Sequence, residues 1–369
     1  MNTKVMKQVC EKPIEREERW DFYKGLLMFS VILGHSITAL KAGADVRVWL
    51  TLFIRTFDMP MFAFISGYFL RKSCNRHDVH INILNKIGSI LFPVILWNWI
   101  FNFASGSIRF GIGRFWFLWS IFFISCIVIC IDFVGKKLEI LKLPLFAAAI
   151  LIFHTMIIDP WNIGFLLFPC VVGYYYDSII AFFGKVGGEK KWKAGMAIVF
   201  IIGLLFWKVD YNVWHIGCSI LKAGALRKIV FRGVIGITGC FTAKWVYDIV
   251  YDAIKVKKYP IIARILTGGV ENGKITMEMY ILQSYFVEFC GAWVIRKTVD
   301  YIGFNLFAMN AVMLSMIYGP IVALISIIVI GVLARRIKAI PYIGSYIFGL
   351  STKVKYRKND EGKYYNEEV

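Results

Sequence analysis

The sequence predicts an all-α, polytopic membrane protein with about ten transmembrane helices. Three observations predict it. The 369 residues are 58% hydrophobic and only 18% charged, against roughly a quarter charged in a soluble domain, and the mean hydropathy is +0.63. The apolar residues fall in runs of about 20, enough to cross a hydrocarbon core about 30 Å thick. Aromatic residues reach 17%, with 31 Phe, 18 Tyr and 12 Trp, a content that suits lipid-facing helices and interfacial belts.

In chain order the predicted spans are 22–42, 49–70, 84–104, 115–134, 143–158, 162–183, 193–209, 228–250, 274–295 and 308–333. The first 20 residues are polar and mixed in charge, so no cleavable signal peptide is expected. The run 143–158 is short and precedes Asp159-Pro160, which suits a re-entrant or broken segment. Residues 210–227 suit a loop or a half-buried helix. The chain thus divides into an N-terminal segment (1–21), a transmembrane domain (22–333) and a tail (334–369) too polar for the bilayer and too short for a domain, expected to be mobile.

Charge orients the spans. With the N-terminus in the cytoplasm, the inside segments 1–21, 71–83, 135–142, 184–193, 251–274 and 334–369 hold 28 Lys and Arg, and the outside loops hold 11, Arg232 among them at a loop edge. That asymmetry predicts both termini inside, an even number of spans and a multi-pass protein of the cell membrane. The formal net charge of +19 then lies mostly on the cytoplasmic face. It serves topology and attraction to anionic lipid headgroups, or it also guides an anionic cytosolic ligand.

Several features carry little. The eight cysteines are scattered, five of them (Cys126, Cys130, Cys170, Cys240 and Cys290) in apolar runs, and read as small packing residues. His77-Asp78-x-His80 lies in a polar loop with no second half, so no metal site is expected. Phosphate-binding, dinucleotide-binding and zinc-protease motifs are missing from the sequence, and no nucleic-acid partner or bound cofactor is expected.

Ionisable groups inside a bilayer cost several kcal/mol unless they face a cavity or a partner. The first span carries Asp21, Lys24 and His35. Lys24 and His35, 11 positions apart, are about 20° out of register and about 16 Å apart along the axis. Asp21 lies on the same side. Asp21 and Lys24 also suit an interfacial ion pair at i, i+3, and His35 suits a hydrogen bond between helices. On the second span, Asp58 reaches about the depth of His35, where a carboxylate could hold an imidazole in one tautomer; a pair with Arg55 is the alternative. Pro60 should kink this span. Thr276, Tyr280, Gln283, Ser284 and Glu288 share one face of the ninth span, for helix–helix hydrogen bonding or for a site.

Arg19-x-Asp21-x-x-Lys24-Gly25, Gly34-His35 and Asp58-Met59-Pro60-Met61-Phe62-x-Phe64-Ile65-Ser66-Gly67-Tyr68 resemble the membrane-bound acyltransferase family 3, and within it the branch of fucose and other sugar O-acetylases. Trp116-Phe117-Leu118, Phe168-Pro169-x-x-x-Gly173-Tyr174 and Gly273-x-x-Thr276-Met277-x-x-Tyr280-Ile281-Leu282 fit later landmarks of that family. The resemblance implies a ten-helix bundle that moves an acyl group, usually acetyl, from cytosolic acyl-CoA to a sugar hydroxyl of a surface or exported glycan. Its hallmark, a basic residue ahead of an essential His on the first helix, maps onto Lys24 and His35. This chain departs from the pattern in three places. It carries Lys24 where Arg is commoner, which keeps the charge but not the bidentate fork. It has Asn82, Asn85 and Lys86 where many members have a basic pair, and Gln283 where many have His.

The residues and the resemblance meet in one mechanism. His35 serves as base or nucleophile with Asp58 behind it. Lys24, Asp21 and Lys86 handle the donor, and Ser66, Tyr280 and Gln283 are candidates for oxyanion stabilisation. Trp116 stacks on a sugar or belongs to the interfacial belt. Acyl-CoA, a glycan or lipid-linked sugar, and membrane lipids are the expected partners. The competing expectation is a transporter of a glycan or lipid-linked sugar, with His35 and Asp58 as a proton relay.

Overall fold

The computed structural model of the chain describes residues 17–40, 49–104, 115–155, 162–186, 188–208, 211, 224–256, 260–287, 317, 319–340, 343–349, 355–358 and 364–367. The described residues are almost entirely helical. In chain order they form α1 (Glu18–Leu40), α2 (Trp49–Cys74), α3 (Val79–Lys86), a π-helical turn (Ile87–Leu91), α4 (Phe92–Ala104), α5 (Trp116–Lys137), α6 (Glu139–Thr155), α7 (Ile163–Tyr174) and α8 (Tyr176–Val186). Then come α9 (Glu189–Leu205), α10 (Ala225–Val256), α11 (Pro260–Lys274), α12 (Thr276–Tyr285), α13 (Gly319–Ala339) and α14 (Ile343–Phe348). In the tail, Lys355–Lys358 pairs antiparallel with Tyr364–Glu367, with Lys355 opposite Glu367.

Each of the ten apolar runs coincides with a described helix, but the helices are unequal. Four are long and apolar enough to cross a membrane: Val79–Phe103, Trp116–Lys137, Ala225–Val256 and Gly319–Ala339. The pair Ile163–Tyr174 and Tyr176–Val186 makes a fifth if its 62° bend lies within one span. α6 and α9 have 17 residues each, short of the ~20 that a bilayer asks. The first part of the ninth run is only the ten-residue α12, and Glu288, at the end of the predicted polar stripe, lies outside the described residues.

α1 and α2 occupy the middle. α1 packs on α11, α13 and α2, and α2 packs on α7, α10 and α5. Glycine sets two of these contacts. A Cβ at Gly67 would collide with the carbonyl of Cys170, and one at Gly173 with the carbonyl of Phe64. The pairings 67 with 170 and 64 with 173 run α2 and α7 antiparallel with their backbones touching. Likewise a Cβ at Gly25 would strike the carbonyl of Gly269, and one at Gly273 the carbonyl of Asp21. Lipid offers no hydrophobic gain for joining helices, so close backbone packing between small residues is a main source of their attraction.

This second contact corrects the reading of 251–274 as a connecting segment. α10 continues to Val256, and α11 lies lengthwise on α1. Its Gly268-Gly269 and Gly273 resemble loop punctuation, yet 269 and 273 sit one turn apart on the face that meets α1. The start of the tail is also ordered into the bundle. Phe348 of α14 is buried, stacks on Trp97 at 5.8 Å, and the Trp97 Nε1–H donates to the Ile347 carbonyl at 3.0 Å.

Segments predicted to share one face meet at one end of the bundle. Arg19 pairs with Asp248 at 3.1 Å and Asp252 at 2.7 Å. Lys72 pairs with Glu17, Lys338 with Glu278, and the Lys136 ammonium donates to the Cys74 carbonyl. Asp132 accepts from Lys142 and Tyr174. The turn between α2 and α3 is tied by Asn82, whose amide donates to the His77 carbonyl at 2.9 Å and accepts from Ser73 at 2.6 Å.

The glycine contacts make a paired prediction. Gly173→Ala lowers the melting temperature of the purified protein by several degrees, because the new methyl must displace α2 backbone. Gly184→Ala, where nothing lies within 4 Å of the added carbon, leaves it unchanged. Equal effects of the two substitutions would contradict the packing described.

Candidate active site

A cavity of about 730 Å³ opens at the bundle end that gathers the ionic contacts above. α1 gives it Lys24 and Met28, and α2 gives Phe62, Ile65, Ser66 and Phe69. Asn85, Lys86 and Ser89 come from the α3–π-turn segment, Phe117 and Leu118 from α5, Thr276, Glu278 and Tyr280 from α12. Lys338 and Phe348 close it from the C-terminal side.

Each wall has a local cause. Lys24 lies one turn into α1 and forms the i, i+3 pair with Asp21 at 2.7 Å. Asp21 is 3% exposed, so this ion pair is drawn into the bundle rather than left at its surface. Lys86 is the last residue before the π-helical turn. Gly88 and Pro93 bracket that turn, and Pro93 cannot donate to the turn before it, which favours the widened i→i+5 pattern. Gly349, at φ +99°, brings the chain after α14 against Gly88 and Pro93. α12 starts after the break at Ile275 and turns Thr276 and Tyr280 inward, with the Tyr280 ring 5.7 Å from Phe117.

Three lysines therefore face one space. Lys24 is neutralised by Asp21 and Lys338 by Glu278. Among the described residues, Lys86 has neither an ion pair nor a hydrogen bond. Low-dielectric walls strengthen the field of such charges and raise the local concentration of anions. The remaining wall is apolar or carries hydroxyls. The Ser66 hydroxyl donates to the Phe62 carbonyl at 2.9 Å. The arrangement suits an anionic molecule.

His35 and Asp58 are not on this wall. α1 connects the two regions: Met28 lies on the cavity, and His35 stands seven residues further on, about 20° off the same stripe and about 10 Å along the axis. Asp58 is 6% exposed and lies within electrostatic range of Arg232, Arg55 and His35. Among the described residues its hydrogen bond is to the Met59 N–H, at 2.6 Å, and no ion pair joins it to Arg55.

Sequence reasoning missed Arg232. It was placed at an outer loop edge, but α10 begins at Ala225, so Arg232 sits two turns inside the helix and is 2% exposed. Its guanidinium donates to the Thr56 carbonyl at 2.8 Å and the Arg55 carbonyl at 2.5 Å. Phe165 and Trp207 cover it at 4.5 and 4.9 Å. The available signal was its setting in Val230-Phe231-Arg232-Gly233-Val234, an arginine with apolar neighbours on both sides. Lys338 and Phe348 were missed because the tail was expected to stand apart from the bundle.

The other candidates separate. Ser66 and Tyr280 reach the cavity. Gln283 is buried above it, with its Nε2 donating to the Ser284 hydroxyl at 3.3 Å. Trp116 is half-buried at the start of α5, edge-on to Phe117 at 5.9 Å, and off the cavity wall.

No family model matches the chain, and no solved structure matches it. It is similar to two curated relatives, each named nodulation protein NolL. The one from Sinorhizobium fredii is 27% identical over 124 residues, covering 29% of this chain and 34% of the relative. The one from Mesorhizobium japonicum is 27% identical over 143 residues, covering 34% and 38%. The matched region spans little more than a third of the length of these relatives.

Proposed function

We propose that the chain is a membrane-embedded O-acyltransferase that moves an acyl group, acetyl first among them, from cytosolic acyl-CoA to a sugar hydroxyl of a surface or exported glycan. The observation that carries this reading is the cavity in which Lys24, Lys86 and Lys338 face one space beneath an apolar wall. Coenzyme A has a polyphosphorylated head and a narrow pantetheine arm ending in sulfur, a chemistry that fits a cationic mouth and a narrowing apolar interior. The resemblance of the first two helices to membrane acyltransferases supports the same reading.

In this reading both termini lie in the cytosol, the ten apolar runs cross or enter the membrane, and the lysine-bearing end faces the donor. Lys24 and Lys86 bind the donor phosphates, and Asp21 keeps Lys24 turned to the wall. The arm follows α1 past Met28 toward His35. There the imidazole takes the proton of the acceptor hydroxyl as its oxygen adds to the thioester carbonyl. The C–S bond then breaks, and the proton passes to the departing thiolate. Ser66 and Tyr280 stand on the wall that the arm passes. Asp58 supports the positive charge that His35 acquires.

Two mutational outcomes and one topological one follow from this. Lys24→Ala raises the donor KM by about tenfold to a hundredfold, the range of a lost charge-assisted contact, and Lys24→Arg restores most of it; equal, wild-type kinetics in both would make Lys24 an anchor only. His35→Ala lowers glycan acetylation by roughly 10²–10⁴ at matched expression and unchanged melting temperature, whereas retained acetylation would exclude the mechanism. A cysteine placed at Glu361 reacts with membrane-impermeant reagent only after the cytosolic face is opened; labelling in intact cells would reverse the topology.

A further inference from the structure

We infer that Arg232 is a positioning residue: it bridges the Arg55 and Thr56 carbonyls just ahead of Pro60 in α2 and so holds the Asp58 carboxylate near His35. The inference rests on the transferase reading for its consequence in the reaction, while the bridge itself is a matter of backbone geometry.

The need for outside donors is written in Asp58-Met59-Pro60, inside the continuous helix α2. In an α-helix each carbonyl accepts from the N–H four residues on. The Thr56 carbonyl would need the N–H of residue 60, and proline has none. The Arg55 carbonyl would need the Met59 N–H, which is engaged by the Asp58 carboxylate at 2.6 Å. The Thr56 carbonyl is thus left without its helical donor, and the Arg55 carbonyl competes with the Asp58 carboxylate for its own; an unsatisfied buried carbonyl destabilises the fold. The Arg232 Nη1 and Nη2 reach Thr56 and Arg55 at 2.8 and 2.5 Å. A planar guanidinium presents two parallel N–H bonds to two neighbouring oxygens, which an ammonium does not.

The surroundings fit this role. Gly236, one turn further along α10, faces the proline: a Cβ there would stand 3.5 Å from Pro60 Cγ, in ordinary contact, so α10 lies against this part of α2. Phe165 and Trp207 cover the guanidinium and keep solvent from it. The same Met59 N–H bond that competes with the Arg55 carbonyl fixes the rotamer of Asp58. Arg232 also opposes the charge of Asp58. Arg232 therefore acts twice, through its hydrogen bonds on the helix and through its charge on Asp58.

A double-mutant cycle separates the two actions. Pro60→Ala supplies the missing N–H to the Thr56 carbonyl. Arg232→Met, Arg232→Lys, Pro60→Ala and the two double variants are purified, and melting temperature, donor KM and kcat of acyl transfer are measured. The expected result is that Arg232→Met lowers the melting temperature and that its loss is at least halved in the Pro60→Ala background. In that stabilised double variant kcat stays down by at least about tenfold while donor KM changes by less than about twofold. Arg232→Lys with Pro60→Ala, which keeps the charge, recovers most of kcat. Additive losses in melting temperature would overturn the bridge, and wild-type kcat in the folded Met/Ala variant would overturn the positioning role. If the wild type transfers no acyl group from any acyl-CoA tried, the transferase reading falls, and the bridge stands or falls on the thermal coupling alone.

Discussion

The backbone contact between α1 and its neighbours is the constraint on which the rest depends. α1 brings Asp21, Lys24, Met28 and His35 into the interior, and it can do so only because α11 approaches within backbone distance over Gly269 and Gly273. A side chain at Gly25 or Gly273 would strike backbone and lever α11 away from α1. The consequence runs into the site. α11 leads through the break at Ile275 into α12, whose Thr276 and Tyr280 complete the cavity opposite Lys24. The matching contact of Gly67 and Gly173 holds α2 to α7 and thereby fixes Ser66 on the same wall.

Within that frame, several charged groups are held in pairs or small chains. Lys24 with Asp21, Lys338 with Glu278, Lys244 with Asp248 and Arg232 with the α2 carbonyls share this logic. Lys244 has in addition the rings of Trp20, Tyr23 and Tyr176 within 5.4–5.7 Å. These pairs hold helices in register. Lys86 stands apart from this pattern among the described residues, and it faces the cavity. A charge kept at such a place is better suited to a visiting anion than to the protein's own architecture.

Much of this was legible in the sequence, for identifiable reasons. Apolar run length located a helix in every predicted span. Helical periodicity put Lys24 and Asp21 together, and the i, i+3 pair at 2.7 Å is the structural outcome. Tyr280 and Thr276 were readable from their i+4 step, which does face inward. Long-range features were not readable in the same way. α11 was hidden because glycines that permit helix contact look like glycines that end helices. Arg232 was hidden because charge counting sorts an arginine near a helix end into a loop, and its partners are carbonyls from α2, 176 and 177 residues away. Phe348 was hidden because a polar tail does not announce that its one aromatic anchor meets Trp97. The fifth and seventh runs were already short in the sequence, and α6 and α9, of 17 residues each, match their length.

The central claim is that the lysine-walled cavity receives the anionic head of the acyl donor. The most direct measurement is the reactivity of each lysine toward a small amine-directed reagent, read by mass spectrometry on the purified full chain with and without coenzyme A. Lys24, Lys86 and Lys338 should lose reactivity together as coenzyme A is added, while the exposed Lys190 and Lys191 on α9 keep theirs. Unchanged reactivity of the three cavity lysines at saturating coenzyme A, or a loss shared equally with Lys190 and Lys191, would contradict the claim.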